Sequence, residues 1–157
     1  MPFTWLACGV DMGMFYKRRD YSMIVDGRNP IVAHEFLGSS VEGKDVIIVD
    51  DMISSGESML DVAKELKQRK AKRVFVAATF GLFTNGLKQF DEYYEQGLIS
   101  KVLTTNVIYQ TPDLLSRPYY INVDLSKYIA LLIDKLNYDH SISELLDPET
   151  RSVEVLI

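Results

Sequence analysis

The stretch Val46-Ile47-Ile48-Val49-Asp50-Asp51-Met52-Ile53-Ser54-Ser55-Gly56-Glu57-Ser58-Met59-Leu60 sets two adjacent carboxylates ahead of a turn carrying three serines, a glycine and a glutamate. At the C-terminal end of a strand, Asp50 and Asp51 repel one another and stand where open α/β sheets bind their ligands. Such a pair accepts hydrogen bonds from a sugar diol, with or without a metal ion. In the turn, Ser54, Ser55, Gly56, Glu57 and Ser58 combine hydroxyls with a glycine-permitted backbone, which can aim several N–H groups into one concavity at a helix N-terminus. That concavity suits a phosphate. A polar strand-to-helix turn with a plain hydroxyl N-cap has the same residue types; it is the acidic pair beside the turn that favours a ligand.

These groups need a strand before them and a helix after them. Val46 to Val49 are four consecutive β-branched residues, which predicts a strand covered on both faces, as in a parallel sheet. Met59, Leu60, Val62, Ala63 and Leu66 recur at helical intervals, which predicts a helix starting near Glu57 or Ser58. Upstream, Asp11 to Tyr16 reads as a short strand with Lys17-Arg18-Arg19-Asp20-Tyr21 at its end. A run of three cations is ordinarily a solvated loop. Ser22 to Pro30 holds Asp-Gly and Asn-Pro turn signals, an exposed loop able to close over a substrate. Ile31 to Leu37 reads as a strand, with His34 a filler rather than an acid–base group, and residues 38–44 as a turn.

Downstream, the basic run Lys67 to Arg73 fits the partially negative end of a helix. Val74 to Thr79 and Val102 to Ile108 read as strands, and Tyr119 to Val123 as the last parallel one. Leu87, Phe90, Tyr93, Tyr94 and Leu98 form a helix face packed on the sheet, and residues 126–137 a closing helix capped by Asp124 or Ser126. Ser141 and Glu144 have capping-box spacing, and residues 151–157 form an apolar-flecked tail that is a strand or an oligomer contact. The alternation predicts a single α/β domain over residues 1–157, with a mostly parallel sheet covered by helices on both sides. Asp50, Asp51, the 54–58 turn, Thr79 and Thr105 then meet at its C-terminal edge.

The 157 residues suit one domain with a proper core, and 47% hydrophobic with 25% charged residues is ordinary for a soluble protein. A net charge of −5 argues against a general nucleic-acid binder. The lone Cys8 rules out an internal disulfide and a cysteine-based zinc site, with a reducing, cytoplasmic location as the expectation. No apolar run approaches a membrane span, and Met1 to Val10 lacks the basic start of a signal peptide.

An apolar strand, an acidic pair and a small-residue loop resemble the phosphoribosyl-pyrophosphate motif of type I phosphoribosyltransferases. More narrowly, Asp50-Asp51-Met52-Ile53 with Lys17-Arg18-Arg19 upstream resembles the C-terminal half of the ribose-phosphate pyrophosphokinase family, over about Gly9 to Leu146. The resemblance implies transfer of the diphosphate of ATP to ribose 5-phosphate, with Mg²⁺, and a homo-oligomer. Asp50 and Asp51 would hold the ribose hydroxyls and residues 54–58 the 5-phosphate, with Lys17 and Arg19 stabilising phosphoryl charge during transfer. It also implies that the chain starts partway into its domain, lacking the first strand, loop and helix and the N-terminal domain that supplies most of the ATP site. The family loop usually reads Asp-Thr-Gly-Gly-Thr, against Ser54-Ser55-Gly56-Glu57-Ser58 here, and a common histidine is replaced by Phe80. Glu57 pointing outward would favour the helix dipole; pointing inward, it would weaken phosphate binding. A nucleobase phosphoribosyltransferase and a non-catalytic regulatory or truncated homologue remain as alternatives.

Overall fold

A computed structural model describes residues 11–19 and 31–146, with backbone alone at 16–19, 31–35 and 144. The apolar opening residues with Cys8, the 20–30 loop and the 151–157 tail lie outside the described residues. The chain forms two compact units, Met1–Ser40 with Ser143–Ile157 and Val41–Ile142.

In the first unit, β1 (Met14–Arg19) pairs antiparallel with β2 (Ile31–Leu37). Phe15 and Phe36 meet with ring centres 5.0 Å apart and their planes tilted by 46°. Lys17 and Arg19 therefore belong to the strand ladder, opposite His34 and Ile31, and do not follow the strand as the sequence suggested. The register slips between Arg18, opposite Ala33, and Arg19, opposite Ile31.

The second unit is built on a four-stranded parallel sheet of β3 (Asp45–Ile53), β4 (Arg73–Gly81), β5 (Lys101–Thr105) and β6 (Tyr120–Val123), in that spatial order. Between them run α1 (Glu57–Gln68), α2 (Lys88–Glu95) and the short α3 (Pro112–Leu115). α4 (Ser126–Asn137) follows β6, and a last turn, α5 (Ser143–Leu146), falls in the first unit. The parallel α/β arrangement is the one the sequence predicted; Thr111 Oγ1 caps α3 by accepting the Leu114 N–H, and Phe90 is the buried residue of α2.

Consecutive parallel strands laid down in one direction with right-handed crossovers place every connecting helix on one face. Val74, Val76, Ala78, Val102 and Thr104 face the buried side, with Met59, Leu60, Ala63 and Leu66 of α1. Burying each large apolar side chain of α1 contributes about 1.5–3 kcal/mol. On the other face, among the described residues, Ile47 is 45%, Val49 58% and Ile121 40% exposed. β3 is also an edge strand among the described residues. Among the described residues β3 is thus covered on one face rather than on both. An apolar run has the same sequence whether its second face meets a helix or stays open.

The inside–outside alternation of β4 slips after Ala78. Thr79 and Phe80 are both exposed and Gly81 is buried, and β3 shows the same slip between Asp50 and Ile53. At the C-terminal edge of the sheet β4 thereby exposes two consecutive residues, Thr79 and Phe80, and β3 four, Val49 to Met52.

Candidate functional site

β3 carries Asp50 and Asp51 to that edge and then runs on to Ile53, so the pair lies inside the strand rather than capping it. Both carboxylates are exposed. Asp50 Oδ1 accepts the Asp51 N–H at 2.8 Å, which folds one carboxylate back onto the chain. The two exposed acids stand one after the other where the β3 alternation is broken, at the mouth of the turn.

The turn that follows is not a serine-capped helix start. The N-cap of α1 is Gly56, at φ 86, with no side-chain capping bond. Only glycine takes that left-handed backbone at little cost. Gly56 is also pressed onto Phe90, where a Cβ would lie 2.4 Å from the ring. Met59 and Leu60 both donate to the Gly56 carbonyl, while the Glu57 N–H has only a long 3.5 Å contact to Ser55 Oγ.

The carbonyls upstream are taken by the segment after β4. Ile53 O accepts the N–H groups of Leu82 at 2.9 Å and Phe83 at 3.3 Å, and Ser54 O accepts that of Thr84 at 3.0 Å. A trans peptide points its N–H opposite to its C=O. The N–H groups of Ser54 and Ser55 are therefore turned together away from residues 82–84. No backbone acceptor among the described residues takes them. Two co-directed amides without a backbone acceptor beside a helix start can receive an anion, and Ser58 lies in the first helical turn behind them.

The rest of the edge is polar and cross-braced. Thr105 Oγ1 donates to the Thr79 carbonyl at 2.7 Å, so these two residues meet as expected. Asn106 Nδ2 donates to Asp124 Oδ1 at 2.6 Å and to Ser126 Oγ at 3.0 Å, and its Oδ1 accepts the Leu125 N–H at 2.9 Å. Hydrogen bonds from the Ser126 hydroxyl and amide, then from Asn106, hold the Asp124 carboxyl below its usual range. Phe80 is 40% exposed beside its cross-strand neighbour Met52 at 43%. That is an apolar surface where the resemblance implied a polar group.

The structure thus groups Asp50, Asp51, Ser54, Ser55, Gly56, Glu57 and Ser58 in the second unit, while Lys17 and Arg19 belong to the first. Phe83 and Asn85, and Phe90, which the sequence marked only as part of a helix face on the sheet, help to shape the turn. Asn85-Gly86 is a turn signal, but nothing in residue type alone announces a left-handed phenylalanine.

The model of the phosphoribosyl synthetase-associated domain family matches residues 22–147. The chain belongs to that family. Curated relatives named ribose-phosphate pyrophosphokinase include one from Vibrio cholerae, 30% identical over 139 residues, covering 88% of this chain and 41% of the relative. Another, from Mycoplasma genitalium, is 40% identical over 126 residues, covering 76% of this chain and 36% of that protein. The chain therefore spans about two fifths of the length of such relatives. The phosphoribosylpyrophosphate synthetase structure from Mycobacterium smegmatis superposes with a TM-score of 0.59 at 23% identity, over 68% of this chain and 34% of that one. The likeness confirms the fold expected of the family. The match of the family model begins at Ser22, after Lys17 and Arg19.

Proposed function

We propose that the chain is the ribose 5-phosphate and phosphoribosyl pyrophosphate binding domain of a ribose-phosphate diphosphokinase, a single phosphoribosyltransferase-like domain serving the reaction ATP + ribose 5-phosphate to phosphoribosyl pyrophosphate + AMP. The observation that supports this reading is the pair of co-directed amides at Ser54 and Ser55, which no backbone acceptor among the described residues takes, beside the exposed Asp50 and Asp51. The 5-phosphate lies in the 54–58 cradle. Asp50 and Asp51 accept hydrogen bonds from the ribose hydroxyls and fix the 1-hydroxyl for attack on the β-phosphorus of ATP, with AMP leaving. Lys17 and Arg19 stabilise the phosphoryl charge, in a reaction that depends chiefly on positioning and electrostatics.

Asp50 and Asp51 offer the hard oxygen donors that Mg²⁺ takes. The described residues hold no cluster of three or more potential metal-binding side chains. The donor set fits an ion held by one or two carboxylates and completed by water and substrate phosphate. Bound there, the ion would offset phosphate charge. ATP enters where the site is completed, and the protein works in the cytoplasm as a homo-oligomer. No helix among the described residues is long and apolar enough to cross a membrane.

Calorimetric titration of the full chain with ribose 5-phosphate, phosphoribosyl pyrophosphate and free nucleobases tests the reading. Saturable binding of both sugar phosphates without a base is expected. Binding that requires a base together with the activated sugar would assign the chain to base transfer instead, and no binding of either sugar phosphate would refute the proposal.

A further inference from the structure

We propose that Asn85 is a positioning residue of the anion cradle, holding the Glu57 carboxylate off the side on which the phosphate binds. The inference rests on the sugar-phosphate reading of the 54–58 turn. Glu57 is the first residue of α1, one position from the left-handed Gly56, and its negative charge would repel a phosphate seated against the Ser54 and Ser55 amides. The segment 82–84 donates to the carbonyls of Ile53 and Ser54, so it lies on the carbonyl side of the turn, opposite the Ser54 and Ser55 amides. Asn85 follows that segment directly, and its Nδ2 lies 3.4 Å from Glu57 Oε1. The carboxylate is thereby drawn toward the carbonyl side.

The segment that carries Asn85 is itself held firmly. Phe83 has φ 47, a left-handed backbone that a bulky side chain rarely adopts. Its ring is 8% exposed and stands edge-on to Phe90 at 5.1 Å and to Tyr120 at 6.4 Å. Gly81 admits that ring: a Cβ there would lie 2.7 Å from Phe83 and 2.8 Å from Thr104 Oγ1. Phe90 meanwhile supports Gly56 on the other side. One aromatic pair therefore sets both the phosphate turn and the loop that restrains its acidic residue. This accounts for an acidic residue within a phosphate turn: the neighbouring loop supplies a donor that redirects its charge.

The test is a two-by-two set, the parent chain, Asn85→Ala, Glu57→Gln and the double variant, titrated calorimetrically with ribose 5-phosphate, with thermal midpoints measured in parallel. Asn85→Ala is expected to weaken binding at least fivefold when Glu57 is present and less than twofold in the Glu57→Gln background. An equal loss in both backgrounds would make Asn85 merely structural and overturn the proposal. So would an unchanged affinity in Asn85→Ala. A parent chain that binds no ribose 5-phosphate would instead refute the sugar-phosphate reading and this inference with it.

Discussion

Gly56 concentrates the demands of the site in one position. Its φ of 86 and the 2.4 Å approach that a Cβ would make to Phe90 mean that a side chain must strain the backbone and also displace a fully buried ring. Gly56→Ala is therefore expected to cost about 2–4 kcal/mol, from the left-handed penalty together with overpacking. Urea denaturation checks this, and a loss under 1 kcal/mol would show that the turn relaxes freely. The acidic pair and the glycine were legible in the sequence because their residue types are unusual at a strand end. The direction of the Ser54 and Ser55 amides was not, because it depends on carbonyl bonds to residues 82–84, nearly thirty positions away.

At the level of elements, the edge of the sheet is fastened by Asn106, Asp124 and Ser126, which tie β5 to the start of α4. The Asp124 carboxyl is lowered by hydrogen bonds from Ser126 and Asn106. A depressed folded-state pKa contributes stability that is present above the unfolded value and lost as pH falls through the folded one. Asp124→Asn should thus be less stable than the parent at neutral pH, and the gap should close in acid below the ordinary carboxylate range. Urea midpoints across that range measure it; a gap independent of pH would remove the charge from the explanation. Asp124 was readable as a cap, whereas its bond to Asn106 joins two strand ends that no local pattern connects. Strand and helix periods located β3 to β6 and α1, α2 and α4 well. They missed that β1 runs through Lys17 and Arg19, because cations are compatible with a two-stranded ladder as well as with a loop.

For the whole molecule, the apolar sheet face exposed among the described residues is the main departure from expectation. A period-two pattern cannot distinguish a face covered by a helix from one left for another surface. Ile47, Val49 and Ile121 are exposed on it, a patch of the kind that mediates association. If the proposed homo-oligomer uses this face, Ile47→Thr with Val49→Thr should lower the sedimentation coefficient of the dominant species while ribose 5-phosphate binding persists. An unchanged coefficient would exclude the face from assembly.

The most direct measurement follows the backbone amides of Ser54, Ser55, Gly56 and Glu57 by ¹H–¹⁵N correlation spectroscopy while ribose 5-phosphate is added to the full chain. The account predicts that these four signals shift most, saturating together with those of Asp50 and Asp51. Saturable shifts centred elsewhere, or none at these amides, would contradict it.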